Sequence, residues 1–171
     1  MTTTTATTLT DGTWTVRSDA VASFTVRKLG LFRVRGGFTV TDGTVTVAGG
    51  RPVAATATLD AGSVRTGIAK RDADLAGRRF FHTARHPVIR VRCSTVEPDG
   101  DDWRAEAMLA VAGGETPITL RVTRLADAGP GTVRIRITGV LDRAATPLGA
   151  PRWLIGRWVG IQVGASLRFT R

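Results

Sequence analysis

Tyrosine is absent from this chain, cysteine occurs once, and lysine occurs only as Lys28 and Lys70. Each shortage excludes something. A single thiol, Cys93, rules out an intrachain disulfide. In the run VIRVRCST it shares parity with Ile89 and Val91, so strand alternation turns it inward as a structural thiol rather than a reactive one. Four tryptophans and six phenylalanines without a tyrosine offer few stacking platforms for single-stranded nucleic acid. The two histidines, His82 and His86, have the i,i+4 spacing of a zinc pair on a helix. Pro87 disfavours helical backbone at His86, however, and no acid sits at the required place between them. They read as exposed loop histidines, with no metal and no cofactor expected. No Gly-x-Ser-x-Gly turn and no phosphate-cradling glycine loop occurs. No apolar run reaches the roughly 18 residues of a membrane span. The opening MTTTTATTLTDG lacks the basic and apolar regions of a secretory signal, so a cytoplasmic location is expected. Met1 to Thr10 reads as a disordered tail ahead of a single domain over residues 11–171.

What is present is arginine. The chain of 171 residues carries a formal net charge of +10 with 42% hydrophobic residues, enough to bury a core. Such a charge invites a nucleic-acid reading. The distribution opposes it. Arg90 and Arg92 alternate with Ile89 and Val91, and Arg134 and Arg136 alternate with Val133, Ile135 and Ile137. These arginines belong to the wet faces of strands spread over the surface, so no specific nucleic acid is expected. An anionic ligand or membrane surface is compatible with the same charge.

Period-two alternation recurs along the chain. Trp14 and Val16 share one face, as do Phe24 and Val26. Val53, Ala55, Ala57 and Leu59 form another such set. Asp42-Gly43, set between alternating apolar residues, predicts a hairpin of two short strands. The turns EPDGDD, AGGE and ADAGPG separate later strands and are short enough to make neighbours antiparallel. The last strand places Val159, Ile161, Val163, Ala165, Leu167 and Phe169 on one side. About eight strands with one apolar face each must stack as a sandwich or close as a barrel. Inward alanines (Ala55, Ala57, Ala165) leave room for an apolar ligand. Trp103, Trp153 or Trp158 could fill the same space, and periodicity does not choose.

One stretch breaks the pattern. GIAKRDADLAGRRFF, Gly67 to Phe81, packs Lys70, Arg71, Asp72, Asp74, Arg78 and Arg79 around a few apolar residues and ends in two phenylalanines. With its flanks it resembles the YceI-like family, lipocalin-like barrels associated with polyisoprenoid and other lipid-like ligands. The resemblance lies in Trp14, Phe24, Val26, Arg27, Leu29, Gly30, Val34, Gly36 and Phe38 of the opening region. It continues in Ser63, Thr66, Arg71, Asp72, Leu75, Phe80 and Phe81, then Pro87 and Ile89, then Leu109, Gly113, Pro117 and Leu120. Leu141 to Arg143 and Leu148-Gly149 complete it. Asp19-Ala20, Asp74, Gly77, Arg79 and His82 depart from the family pattern.

The resemblance implies an all-β, antiparallel lipocalin-like barrel of about eight strands with one short helical insertion near residues 68–82, at the barrel mouth. It implies non-catalytic binding (storage, transport or sequestration) of a long apolar chain such as an isoprenoid or fatty acid, and a homodimer. Parity and matched motifs together single out Phe24, Val26, Phe38, Leu59, Leu75, Phe80, Phe81, Leu109, Ile135, Ile161 and Val163 as lining residues. Arg71 and Asp72 join them at the mouth, either touching a head group or tying the helix to a neighbouring strand. Arg78 and Arg79 favour a more anionic ligand. Two other functions remain open: an enzyme on a hydrophobic molecule using Asp72, Asp142 or Arg143, and an interaction protein with a filled core.

Overall fold

The computed structural model describes residues 8–151 and 154–171. In chain order the elements are β1 (Gly12–Val16), β2 (Val21–Lys28), β3 (Phe32–Ala48), β4 (Arg51–Asp60), α1 (Ala69–Ala76), β5 (Val88–Asp99), β6 (Asp102–Val111), β7 (Gly114–Asp127), β8 (Thr132–Asp142) and β9 (Ile155–Thr170). From β2 onward, strands adjacent in sequence pair antiparallel, and β9 returns to β1 and β2. β1 and β2 both lie between β3 and β9. Thr15 faces Thr44 and Arg168, while Val21 faces Thr39 and Gly164. They are two halves of one interrupted strand, so nine strands close an eight-stranded barrel. Closure leaves no long open edge for a second chain to extend.

Alternation puts the core inside. On β6, Ala105, Ala107, Leu109 and Val111 are buried while Arg104, Glu106 and Met108 face water. On β8, Val133, Ile135 and Leu141 point in and Arg134 and Arg136 point out. Exposed ion pairs such as Arg92–Glu115 and Arg121–Asp99 lace the outer wall. Pairs this wet contribute at most about 1 kcal/mol each.

The hairpin expected at Asp42-Gly43 is not there. β3 runs unbroken through both residues, with a bulge against β4 between Val40 and Asp42. Gly43 serves a close approach instead: a Cβ there would sit 2.6 Å from Val16 Cγ2, where β1 wedges in beside β3. The chain reverses at Gly49-Gly50, whose φ values of 62° and 76° suit a two-residue hairpin that only glycine adopts freely. Val53 also departs from expectation. A second bulge offsets β3 from β4 between Thr46 and Val47, so Pro52 turns inward and Val53 outward, 37% exposed.

The barrel has two unlike ends. At the turn end lie the Gly49-Gly50, Gly100-Asp101 and Ala128–Gly131 reversals. Trp14 stacks on Phe169 there, at 5.4 Å between centroids. Met1–Thr7, most of the expected tail, lie outside the described residues. Leu9 is part of the fold: its N–H donates to Gly50 O at 2.9 Å and its side chain packs on the core. At the cap end lie the β2–β3 tip, the long 61–87 crossover with α1, the β6–β7 turn and the 143–154 connection.

Candidate ligand-binding cavity

The crossover begins where β3 and β4 diverge. Ser63 to Thr66 fills the gap as a strand-like rung: Gly37 and Arg65 exchange N–H···O bonds of 2.9 and 3.0 Å, and Thr39 N–H donates to Ser63 Oγ at 2.8 Å. The chain then turns at Gly67, with φ 85°, and enters α1. A compact polar knot fixes that turn. Asp72 Oδ1 accepts from Thr66 N at 2.8 Å and from Thr66 Oγ1 at 2.6 Å. Arg71 Nε donates to the same Oγ1 at 2.7 Å, and its Nη2 to Thr66 O at 2.8 Å. Arg71 and Asp72 thus both bond Thr66 and lie off the cavity wall; they tie α1 to the rung that precedes it. Arg78 and Arg79 are likewise exposed and off the inner wall.

After α1 the chain tightens into turns, with Phe80 N–H donating to Gly77 O at 3.1 Å and Phe81 N–H to Leu75 O at 3.0 Å. This winding lets Leu75, Phe80 and Phe81 all face inward. Phe81 meets Phe38 edge-on at 5.0 Å, and Phe38 meets Phe24 at 5.6 Å, so a file of rings joins the cap to the wall. Gly36 makes room for it: a Cβ there would lie 2.3 Å from Phe24 Cζ. His82, at φ 46°, and His86 are half-buried, not exposed, and meet edge to face at 5.8 Å, and His86 covers Gly113 of the β6–β7 turn.

The other half of the cap is the 143–154 connection. Arg143 is buried, only 7% exposed. Its guanidinium donates to the carbonyls of Leu148 (3.1 Å), Ala150 (3.0 Å), Ile155 (2.8 Å) and Gly156 (3.2 Å). A buried cation held by several carbonyls ties Leu148 and Ala150 to the start of β9. Gly149 N–H then donates to Arg79 O at 3.1 Å and joins the two halves. Asp142, one of the enzyme candidates, forms a two-pronged pair with Arg157 at 2.7 and 2.8 Å and lies off the inner wall, as does Asp72.

Beneath this cap runs a cavity of about 300 Å³. It is lined from Phe81, Leu148 and Ile155 at one end to Leu9, Trp103 and Val133 at the other. Its surface is almost wholly apolar, so such a space stays dry and suits a hydrocarbon occupant. Every apolar side chain singled out from the sequence lies on this wall: Phe24, Val26, Phe38, Leu59, Leu75, Phe80, Phe81, Leu109, Ile135, Ile161 and Val163. Ala55, Ala57 and Ala165 lie there too and leave the bore open. Of the tryptophans that could have filled it, Trp103 is part of the wall, Trp158 is 58% exposed outside, and Trp153 lies outside the described residues. Sequence reasoning missed Leu9, Pro52, Leu148 and Arg124, whose inward positions depend on bulges and loops. Arg124 borders the cavity at the turn end and pairs with Asp127. Cys93 faces the cavity and its Sγ–H bonds Thr95 O at 3.4 Å; burial pushes the thiol pKa up.

The family model described as the YceI-like domain matches residues 14–167. This chain belongs to the YceI-like family. Among curated proteins it is 30% identical over 103 residues to UPF0312 protein ECA1782 of Pectobacterium atrosepticum, covering 59% of this chain and 54% of that one. It therefore spans about half the length of the curated relatives it matches. Solved structures share the fold. BcnA of Burkholderia cenocepacia superposes with a TM-score of 0.74 at 18% identity, covering 86% of this chain and 95% of that one. A polyisoprenoid binding domain from Saccharophagus degradans, implicated in plant cell wall breakdown, gives 0.68 at 21% identity over 92% and 98%. A mutant Campylobacter jejuni YceI protein with a monobromobimane guest gives 0.73 at 15% identity over 82% and 88%.

Proposed function

We propose that this YceI-like barrel binds one long apolar molecule, of isoprenoid or fatty-acid type, and carries or sequesters it without covalent chemistry. The observation that carries this reading is the dry, apolar cavity of about 300 Å³ reaching from the cap to the turn end. The polyisoprenoid-binding neighbour from Saccharophagus degradans supports the ligand class. Each methylene taken out of water contributes about 0.8 kcal/mol, less the cost of immobilising a flexible chain. The small volume spread over that length selects a slender, unbranched or methyl-branched guest over a compact one. The non-catalytic reading is supported by how the wall's titratable groups are used: Cys93 bonds Thr95 O, Arg124 pairs with Asp127, and Arg143 is spent on loop carbonyls.

Gentle native mass spectrometry of freshly purified protein, followed by organic extraction, should reveal a co-purifying hydrocarbon of this class. Ala57→Trp and Ala165→Trp place an indole in the bore and should abolish uptake while circular dichroism stays that of the folded barrel. Undiminished binding in both variants would place the ligand elsewhere.

A further inference from the structure

The tip of the β2–β3 hairpin is built unlike a solvent-facing turn. Leu29, Leu31 and Phe32 are 45%, 82% and 61% exposed, and Leu29 is held at φ 52°, a left-handed conformation that costs a leucine energy. Ile68, at the start of α1, is 52% exposed at the same end of the barrel. Basic residues flank these apolar ones. Arg27, Lys28 and Arg33 adjoin the tip, and Lys70, Arg78 and Arg79 lie on α1 and the turn after it, all exposed. None of the six has a carboxylate partner among the described residues. Four acids of the cap end are occupied: Asp60 caps Gly62, Asp72 holds Thr66, Asp142 pairs with Arg157, and Glu115 pairs with Arg92; the exposed Asp74 on α1 is one negative charge among these cations.

We infer that the cap end docks on an anionic lipid bilayer, with Leu29, Leu31 and Phe32 entering the headgroup–acyl boundary and the flanking cations meeting lipid phosphates. The geometry is that of an interfacial anchor, an apolar tip ringed by positive charge. A soluble partner of opposite charge would use the cations but leave three exposed apolar side chains at the tip without purpose. Docking by this end sets the cavity's cap against the membrane, where an apolar guest could be exchanged without crossing water.

The test is vesicle flotation with phosphatidylglycerol-rich and pure phosphatidylcholine vesicles. The full chain should float with the anionic vesicles only, and binding should fall as salt screens the cations. Leu31→Glu with Phe32→Glu should cut the bound fraction about tenfold or more. Lys28→Glu with Arg33→Glu should cut it comparably. Leu125→Glu, which changes a 46% exposed apolar residue near the turn end, should leave it unchanged. Ala165→Trp should float normally, because docking does not need a filled cavity; this separates failure here from failure of the ligand reading. Equal flotation with neutral vesicles, or insensitivity to the tip variants, overturns the proposal. So does a chain that ignores vesicles but self-associates through the tip, with the tip variants made monomeric.

Discussion

The two ends of this barrel solve the same problem, reversing strands, with different materials. At the turn end the described left-handed positions are glycines: Gly12, Gly49, Gly50, Gly100, Gly129 and Gly131. At the cap end Leu29, His82 and Ala112 hold positive φ values of 52°, 46° and 50° without that freedom, alongside the left-handed Gly30, Gly67 and Gly113. One end is made for closure, with Trp14, Phe169 and Leu9 packed over the bore. The other tolerates strain, long connections and exposed apolar side chains. Backbone strain of this kind concentrates where a protein meets its ligands. Under the proposed binding role, the contrast assigns stability to the turn end and traffic to the cap end.

The sharpest way to break that contrast is to remove an anchor from each end. Trp14→Ala deletes a side chain 5% exposed and its ring contact with Phe169. It should cost about 3–5 kcal/mol of unfolding free energy in urea titration. Phe81→Ala, at the half-buried cap, should cost about 2 kcal/mol, below that range because the site can collapse. It should also speed release of a bound apolar fluorophore, which Trp14→Ala should not do beyond its effect on stability. Equal costs and equal release rates would erase the division of labour. Asp72→Ala frees Thr66 and Arg71 and should cost about 1–3 kcal/mol. Its clearer signature is faster proteolytic cleavage between residues 67 and 82 with the barrel still protected. Ala112→Gly relieves left-handed strain against the entropy that glycine adds to the unfolded chain, and should gain about 0.5 kcal/mol.

The smallest effect concerns Cys93. Burial raises its thiol pKa above the ordinary 9.0, with the Thr95 hydrogen bond opposing and Glu106 adding to the rise. The folded state therefore keeps its proton where the unfolded chain would release it. This contribution is whole below pH 9.0 and is lost as pH climbs through the raised value. Cys93→Ala should remove that part of the alkaline decline. Alkylation of Cys93 should be slow at neutral pH and slower still in ligand-loaded protein, because the thiol faces the cavity. A loaded sample alkylated as fast as an empty one would place the guest away from β5.

Much of this was legible in the sequence because a strand converts parity directly into facing. Leu109, Ile135, Ile161 and Val163 needed only the alternation of β6, β8 and β9 to be placed inside. Phe80 and Phe81 needed more. Parity would separate two adjacent extended residues, and only the resemblance put both at the mouth; the turns after α1 bring them inward together. Asp42-Gly43 and Val53 show where parity fails. A bulge changes no composition but reverses facing beyond it, and Gly43 answered to the close approach of Val16, a neighbour distant in sequence. The resemblance places Arg71 and Asp72 at the mouth and leaves open whether they touch a head group or tie the helix down. Their geometry depends on one hydroxyl, Thr66, which sequence spacing alone does not rank above other partners.

The grip of Arg143 on four carbonyls has a consequence for how the tube could ever be emptied. Displacing Leu148 and Ala150 would strip a buried cation of two carbonyls, whereas displacing α1 and the turns after it breaks part-buried bonds around Thr66 and Arg79 and the Phe81–Phe38 ring contact. If the cavity takes the guest proposed above, the side of the rim formed by the crossover is the one that yields at lower cost. That crossover is bounded by two left-handed positions, Gly67 at φ 85° and His82 at φ 46°.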